Sequence, residues 1–330
     1  MPGFMTRRQF LESLTLAAAL ARAPRAFAGV GNTGPYPLTF EHALGNATIS
    51  RRPTRIVTLG WNGEDAIIGL GYIPIAMPKR ALFERGIFPW VEDKIGPARP
   101  VLLSGDNDYE RIALLKPDLI LGVFSGIDHK AYAQLSRIAP TVVYRSGPWQ
   151  AGWREQTRMT GLALGMPDRA EALIESTNAF LRSLAANHPA LDGRSFVFGT
   201  YHPGSPQLGV YLPSDPRVEL LQELGLHPSR GIEALAAQWK GRRSASVSIE
   251  TLEAIDADIL IMWYGPGART AAEAQPLFNR LPAIKRRSYV ALEDPIDIWS
   301  TSALSVLSIP YGFPRFVPRL AEAAQRANGG

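Results

Sequence analysis

Short apolar runs alternate with helix-length amphipathic stretches along most of this chain. The runs fall at residues 55–59, 73–76, 119–123 and 141–144 in the first half, and at 196–200, 208–212, 259–264 and 289–292 in the second. Each is too short for a buried helix, and most lack the apolar/polar alternation of a half-exposed strand, so they suit strands covered on both faces. Set between helix-sized patterns, they predict two α/β lobes with largely parallel sheets. Between the halves, residues 168–187 place Ala170, Leu173, Ile174, Thr177, Leu181 and Leu184 at helical spacing, with Asp168 as the expected cap and Pro189 as the stop. About twenty residues at 1.5 Å each make a rod of roughly 30 Å, long enough to join two lobes. The expected organisation is a lobe over 29–166, a linker helix over 167–188 and a second lobe over 189–330. A Gly/Pro-rich start over 29–37 precedes the first lobe.

A repeat supports two related lobes. Residues 109–121 can be laid over 249–261, a separation of 140 positions. In each segment a glutamate, Glu110 or Glu250, opens a short helix, and an aspartate eight residues later, Asp118 or Asp258, precedes an apolar strand. Acidic residues favour helix starts through the helix dipole, so the helix-then-strand unit is itself one explanation of the match.

The first 28 residues have the layout of an export signal. Arg7 and Arg8 start it, an apolar stretch of about eight residues follows over 14–21, and Ala26-Phe27-Ala28 supplies the small-residue cleavage site. That stretch is far short of the roughly twenty residues of a membrane span. Thr6-Arg7-Arg8-Gln9-Phe10-Leu11 resembles the twin-arginine signal, which implies export of the folded chain by the twin-arginine translocase, cleavage after Ala28 and a periplasmic location. The signal also accounts for most of the charge. The chain has 35 Lys+Arg against 30 Asp+Glu, and the signal holds Arg7, Arg8, Arg22 and Arg25 against Glu12, leaving 31 basic and 29 acidic residues.

Composition removes several chemistries. There is no cysteine, which excludes thiolate nucleophiles, iron–sulfur clusters, Cys-based zinc sites, disulfides and a lipidated cysteine anchor. No phosphate-binding loop and no Gly-x-Gly-x-x-Gly turn follows a predicted strand, and Gly122-Val123-Phe124-Ser125-Gly126 has its serine one place too late for a nucleophile elbow. The histidines, His42, His129, His188, His202 and His227, show no metal-ligand spacing. Arginines are dispersed, without the basic and aromatic interleaving of a nucleic-acid surface. Neither an intrinsic cofactor nor an enzymatic reaction is expected.

Aromatic residues gather where the predicted strands end. Trp61, Phe124 and Tyr144-Arg145 do so in the first half; Tyr201, Trp263-Tyr264 and Trp299 do so in the second. Open α/β sheets bind ligands beyond the carboxyl ends of their strands, and polar-edged rings in such loops suit recognition as well as packing. The pattern describes two lobes facing each other across an aromatic cleft, a binding protein.

The chain resembles the periplasmic substrate-binding proteins of iron–siderophore ABC transporters, in the helix-linked class that includes cobalamin- and haem-binding relatives. The matching segments are Arg55-Ile56-Val57-Thr58-Leu59 with Glu64 and Leu70-Gly71, the Leu-Lys-Pro-Asp-Leu-Ile core after Glu110, residues 135–142, Ser248-Ile249-Glu250-Thr251-Leu252, residues 281–285, and the tail from Ser302 to Ala321. The resemblance implies a class III fold, limited hinge motion, and a monomer that hands a ferric siderophore to an inner-membrane permease. The siderophore itself supplies the iron ligands, so no residue touches the metal. It also implies that Glu110 and Glu250 dock on arginines of the permease, one from each lobe.

Within the family the chain is most similar to ferric hydroxamate-binding proteins, with tryptophans matching at Trp61, Trp90 and Trp239. Where those proteins carry a ligand-contacting arginine before the Glu110 helix, this chain reads Leu103-Ser104-Gly105, which places Ser104 there. After Trp239 it adds Lys240, Arg242 and Arg243, so a carboxylate chelate stands beside a hydroxamate as expected ligand. The alternatives are a cobalamin or haem binder, a protein that binds ferric or another metal ion directly, for which adjacent tyrosines are expected and the chain has none, and an exported enzyme.

Overall fold

The computed structural model describes residues 36–105 and 108–327. The export signal expected over 1–28 lies outside them, as do all but the last two residues of the Gly/Pro-rich start. The structure opens with a hairpin that the apolar runs did not announce, β1 (Leu38–His42) and β2 (Gly45–Ile49), paired antiparallel. Its signal is alternation: Phe40, His42, Ala47 and Ile49 are buried while their neighbours are not.

The N-terminal sheet is built from β3 (Ile56–Thr58), β4 (Ala76–Pro78), β5 (Val101–Leu103), β6 (Leu119–Gly122) and β7 (Thr141–Val143), in the order β5-β4-β3-β6-β7 with every neighbour parallel. Strands β3, β6 and β7 are buried throughout. Successive side chains point to opposite faces, so the two faces belong to different cores. Ile56, Leu119, Leu121 and Val142 enter a core that continues through the linker helix, whereas Val57, Ile120 and Val143 enter one private to this lobe.

The C-terminal sheet repeats this scheme in part. Strands β8 (Ser195–Tyr201), β12 (Ile259–Trp263) and β13 (Tyr289–Leu292) are parallel, with the two-residue β10 (His227–Pro228) beside the start of β8. Phe196, Phe198, Ile259, Ile261, Val290 and Leu292 face the shared core; Val197, Leu260 and Met262 face the private one. The run at 208–212 departs from the parallel expectation. It forms β9 (Gln207–Tyr211), antiparallel to β8, and β11 (Ser244–Ser248) is antiparallel to β9 in turn. Only His202-Pro203-Gly204-Ser205-Pro206 separates β8 from β9, too short for a parallel crossover, which takes a dozen or more residues.

The internal echo has a structural counterpart. Ile56 pairs with Leu119 and Phe196 with Ile259, the same register 140 residues apart. Asp118 accepts from the backbone N–H of Thr54 (2.9 Å) and Arg55 (2.7 Å), and Asp258 accepts from the N–H and hydroxyl of Ser195, both at 2.8 Å. Each aspartate satisfies the first donors of the neighbouring strand.

The linker helix spans Pro167–Ala186 and buries Ala170, Ile174, Thr177, Leu181 and Leu184. Asp168 is not its cap. Pro167 takes the first helical position, where a missing N–H costs nothing, and Met166 precedes it without a side-chain bond. The lobes are joined a second time near the C-terminus. Asn62 donates to the carbonyl of Leu304 at 2.9 Å, and Val306 and Leu307 pack against Gly69 in the first lobe before the last helix, Ser308–Ala327, begins.

Candidate functional site

A cavity of about 590 Å³ opens between the lobes where β3, β9 and β12 end. The first lobe contributes Trp61 and Leu82. Trp61 follows Gly60, whose φ of 89° and close approach to Phe124 require glycine: an added Cβ would lie 2.1 Å from the Phe124 carbonyl oxygen. The Trp61 ring stands 5.1 Å from Trp149, 5.3 Å from Trp299 and 6.1 Å from Phe124 between centroids, and remains 38% exposed. Trp149 extends this surface with φ of 56°, uncommon for a bulky residue. Its indole lies against Gly126, where an added Cβ would be 2.6 Å from Nε1. Arg243 of the other lobe donates to the carbonyls of Trp149 (3.1 Å) and Gln150 (3.0 Å), so the turn is held from both sides.

A buried ionic knot supports the Trp61 turn. Arg80 binds Glu64 at 2.8 Å, donates to the Gly60 carbonyl at 3.2 Å and lies over the Phe88 ring at 4.6 Å. Beside it Asp65 accepts from the Trp90 indole at 2.8 Å and from the Ser305 hydroxyl, which ties the knot to the second crossing between lobes. Burial, and then the neighbouring Glu64, push the Asp65 carboxyl up to about 8, so it stays protonated at neutral pH.

The second lobe supplies the rest of the wall. Tyr211 ends β9, Trp263 ends β12, and Trp299 and Ile298 come from the helix Pro295–Ser302. The Trp263 indole donates to the Tyr211 hydroxyl at 2.7 Å, and the Arg217 guanidinium lies 3.6 Å from the Tyr211 ring centroid. Asp215 caps the helix Pro216–Glu223 by accepting from the Arg217 N–H, and it pairs with the same residue's Nε (2.7 Å) and Nη2 (2.8 Å). Burial raises the phenols of Tyr211 and Tyr264 above their ordinary value, so both line the cavity as neutral groups. The arrangement can stack on flat or apolar ligand surface and offer a few donors.

Of the residues expected at the ligand, Trp61, Trp263, Tyr264 and Trp299 line the cavity. Phe124 lies behind Trp61 and is largely buried. Three others are packing rather than ligand surface. Trp90 is buried, stacked on Phe88 at 4.4 Å and bonded to Asp65; Tyr144 is buried and donates to the Ile127 carbonyl; Tyr201 is buried in the private core of the second lobe. These rings sit at strand ends or on a helix, yet they point into the cores that close the sheets.

Ser104, Arg145, Trp239 and Arg242 are away from the cavity wall. Ser104 is exposed, Arg145 donates to the Glu41 carbonyl beside the N-terminal hairpin, and Arg242 covers the exposed Trp239 ring at 4.7 Å. Among the lining residues missed were Leu82, Tyr211, Arg217, Glu293 and Ile298. Tyr211 was legible as an aromatic at the end of an apolar run, and Asp215-Pro216 was legible as a helix start that would bring Arg217 to the same edge.

Glu110 and Glu250 are both exposed, each in the first turn of its helical segment. The capping work is done by others: Asp108 accepts from the Arg111 N–H and Ser248 from the Glu250 N–H. Neither glutamate side chain has a hydrogen bond or ion pair among the described residues.

Comparison with known proteins gives a consistent result. A family profile described as periplasmic binding protein matches residues 91–295. "Probable siderophore-binding lipoprotein YfiY" of Bacillus subtilis is 26% identical over 278 residues, covering 80% of this chain and 82% of the relative. "Fe(3+) dicitrate-binding periplasmic protein FecB" of Escherichia coli is 25% identical over 261 residues, 78% of this chain and 83% of the relative. Among solved structures, PiaA of Streptococcus pneumoniae in complex with ferrichrome is 28% identical, with a TM-score of 0.78 over 87% of this chain and 99% of the other.

Proposed function

The chain belongs to the periplasmic binding protein family, and from that premise we propose that it captures a ferric siderophore outside the cytoplasmic membrane and delivers it to an ABC permease for iron uptake. The observation that carries this reading is the cavity of about 590 Å³ between two lobes, walled by Trp61, Tyr211, Trp263 and Trp299. A bulky chelate brings its own iron ligands and presents apolar and carbonyl-rich surface, which aromatic walls and a few donors suit. The relatives named for ferric siderophores and ferrichrome support the same ligand class. The ferric ion is cargo.

Delivery requires registration on the permease. Glu110 and Glu250, exposed at equivalent places in the two lobes and free of capping duty, suit a partner with arginines related by a two-fold axis. The protein acts as a monomer, one copy presenting both glutamates. Its export follows the twin-arginine route with cleavage after Ala28, a reading that rests on Thr6-Arg7-Arg8-Gln9-Phe10-Leu11 and Ala26-Phe27-Ala28. N-terminal sequencing of the exported protein checks it: a first residue of Gly29 is expected, and Met1 overturns it.

Intrinsic fluorescence tests the ligand class, since Trp61, Trp263 and Trp299 line the cavity. Titration of mature protein with ferric hydroxamate, carboxylate and catecholate siderophores, haem and cobalamin is expected to give saturable quenching by a ferric siderophore. A response to haem or cobalamin alone overturns the reading.

A further inference from the structure

The ionisable groups at the cavity are few and already paired. Arg217 is the sole cationic side chain lining it among the described residues, and Glu293 the sole carboxylate. Arg217 is held by both oxygens of Asp215 at 2.7 and 2.8 Å, with the two side chains 17% and 5% exposed, while its Nη1 has no partner among the described residues. Glu293 is bound by Arg269 at 2.7 Å, and Arg269 is shared with Glu273 at 2.6 Å. With these partners included, the wall carries two arginines against three carboxylates. Among the described residues that line it, none is a cation free of a carboxylate partner. Moving an uncompensated anion into an aromatic, partly dehydrated cleft is unfavourable.

Ferric siderophores divide by charge for simple reasons. Three hydroxamates are monoanions that cancel Fe³⁺, whereas tricatecholate and polycarboxylate complexes keep negative charge. Resting on the siderophore reading above, we propose that Asp215 sets the charge class of the ligand: by pairing Arg217 at the wall, it makes the cleft select ferric chelates of zero net charge over anionic ones. Arg217 then serves through Nη1 as a hydrogen-bond donor, not as a counter-ion. Asp215 is a positioning and charge-setting residue in this scheme.

The test is a fluorescence titration of the mature protein with a neutral ferric trihydroxamate, ferric dicitrate and a ferric tricatecholate. The parent protein is expected to bind the neutral chelate at least about tenfold more tightly than either anion. Asp215→Asn keeps a capping acceptor for the helix but removes the charge, freeing Arg217 to act as a cation. It is expected to narrow the neutral-to-anion preference by about tenfold. Arg217→Gln, which leaves Asp215 uncompensated, must not narrow it. Tighter binding of an anion by the parent, or an unchanged ratio in a folded Asp215→Asn variant, overturns the proposal; if that variant does not fold, a narrowed ratio in Arg217→Gln does so. Binding of no ferric chelate by the parent overturns the siderophore reading itself and this inference with it.

Discussion

The two lobes start from the same strand pair and part company one element later. β3 with β6 and β8 with β12 share a register, and Asp118 and Asp258 occupy the same corner. After β3 the chain enters the helix Gly63–Gly69, which buries Glu64 and Asp65 beneath the Trp61 turn; after β8 it folds straight back into β9. The first lobe therefore offers an aromatic ledge set on an ionic knot. The second lobe, through its hairpin, delivers Tyr211 and the Asp215–Arg217 pair to the cavity. A common framework sets the strands, and the segments that leave their carboxyl ends divide the work of the site.

The largest effect is expected where the lobes are most alike. Glu110→Arg combined with Glu250→Arg should abolish siderophore-dependent iron uptake by cells while calorimetric affinity for the ligand is retained. A loss of ligand affinity would mean that the two glutamates do not form an equivalent docking pair. Next, Trp61→Ala should weaken ligand binding about 100-fold, as for a central aromatic anchor, whereas Trp239→Ala, off the cavity wall, should cost less than about threefold. The reverse ranking would move the site to the basic loop after Trp239.

Asp118→Ala and Asp258→Ala should each lower unfolding free energy in urea by about 0.5–1.5 kcal/mol, since each loses hydrogen bonds to strand-start donors that water can reach. A large difference between them would break the equivalence of the two corners. Asp65 tests what is peculiar to the first lobe. Its carboxyl is raised to about 8 in the fold, while in the unfolded chain it titrates near 4, so over that window the unfolded state loses the proton first and stability falls as pH rises. Asp65→Asn should therefore melt a few degrees above the parent at pH 7.5, with the gap closing toward pH 4 in calorimetry; a gap that widens at low pH would contradict burial as the cause. The smallest effect is expected from Arg243→Ala, about 1 kcal/mol or less, read as faster hydrogen exchange around Trp149 and Gln150.

The framework was legible because burial on both faces leaves runs such as Leu119-Ile120-Leu121 and Ile259-Leu260-Ile261, and because Ile174, Thr177, Leu181 and Leu184 keep helical spacing. Antiparallel β9 could have been read from its short connection to β8. The site was only half legible. Trp61, Trp263 and Trp299 reached the cavity, while Trp90 and Tyr201, equally aromatic and equally near strand or helix ends, went into packing. Which way such a ring points depends on partners distant in sequence: Asp65 for the Trp90 indole, the private core of the second lobe for Tyr201.

By itself, then, the order of apolar runs determined two related α/β lobes and the linker, and the repeat placed Glu110 and Glu250 at matching positions, since runs covered on both faces and helical spacing are local patterns. Tertiary structure alone decided which polar groups were neutralised. Arg80 with Glu64 and Arg217 with Asp215 are fixed by approach through space, and in a low-dielectric interior such approaches determine charge and hence what the cleft can hold.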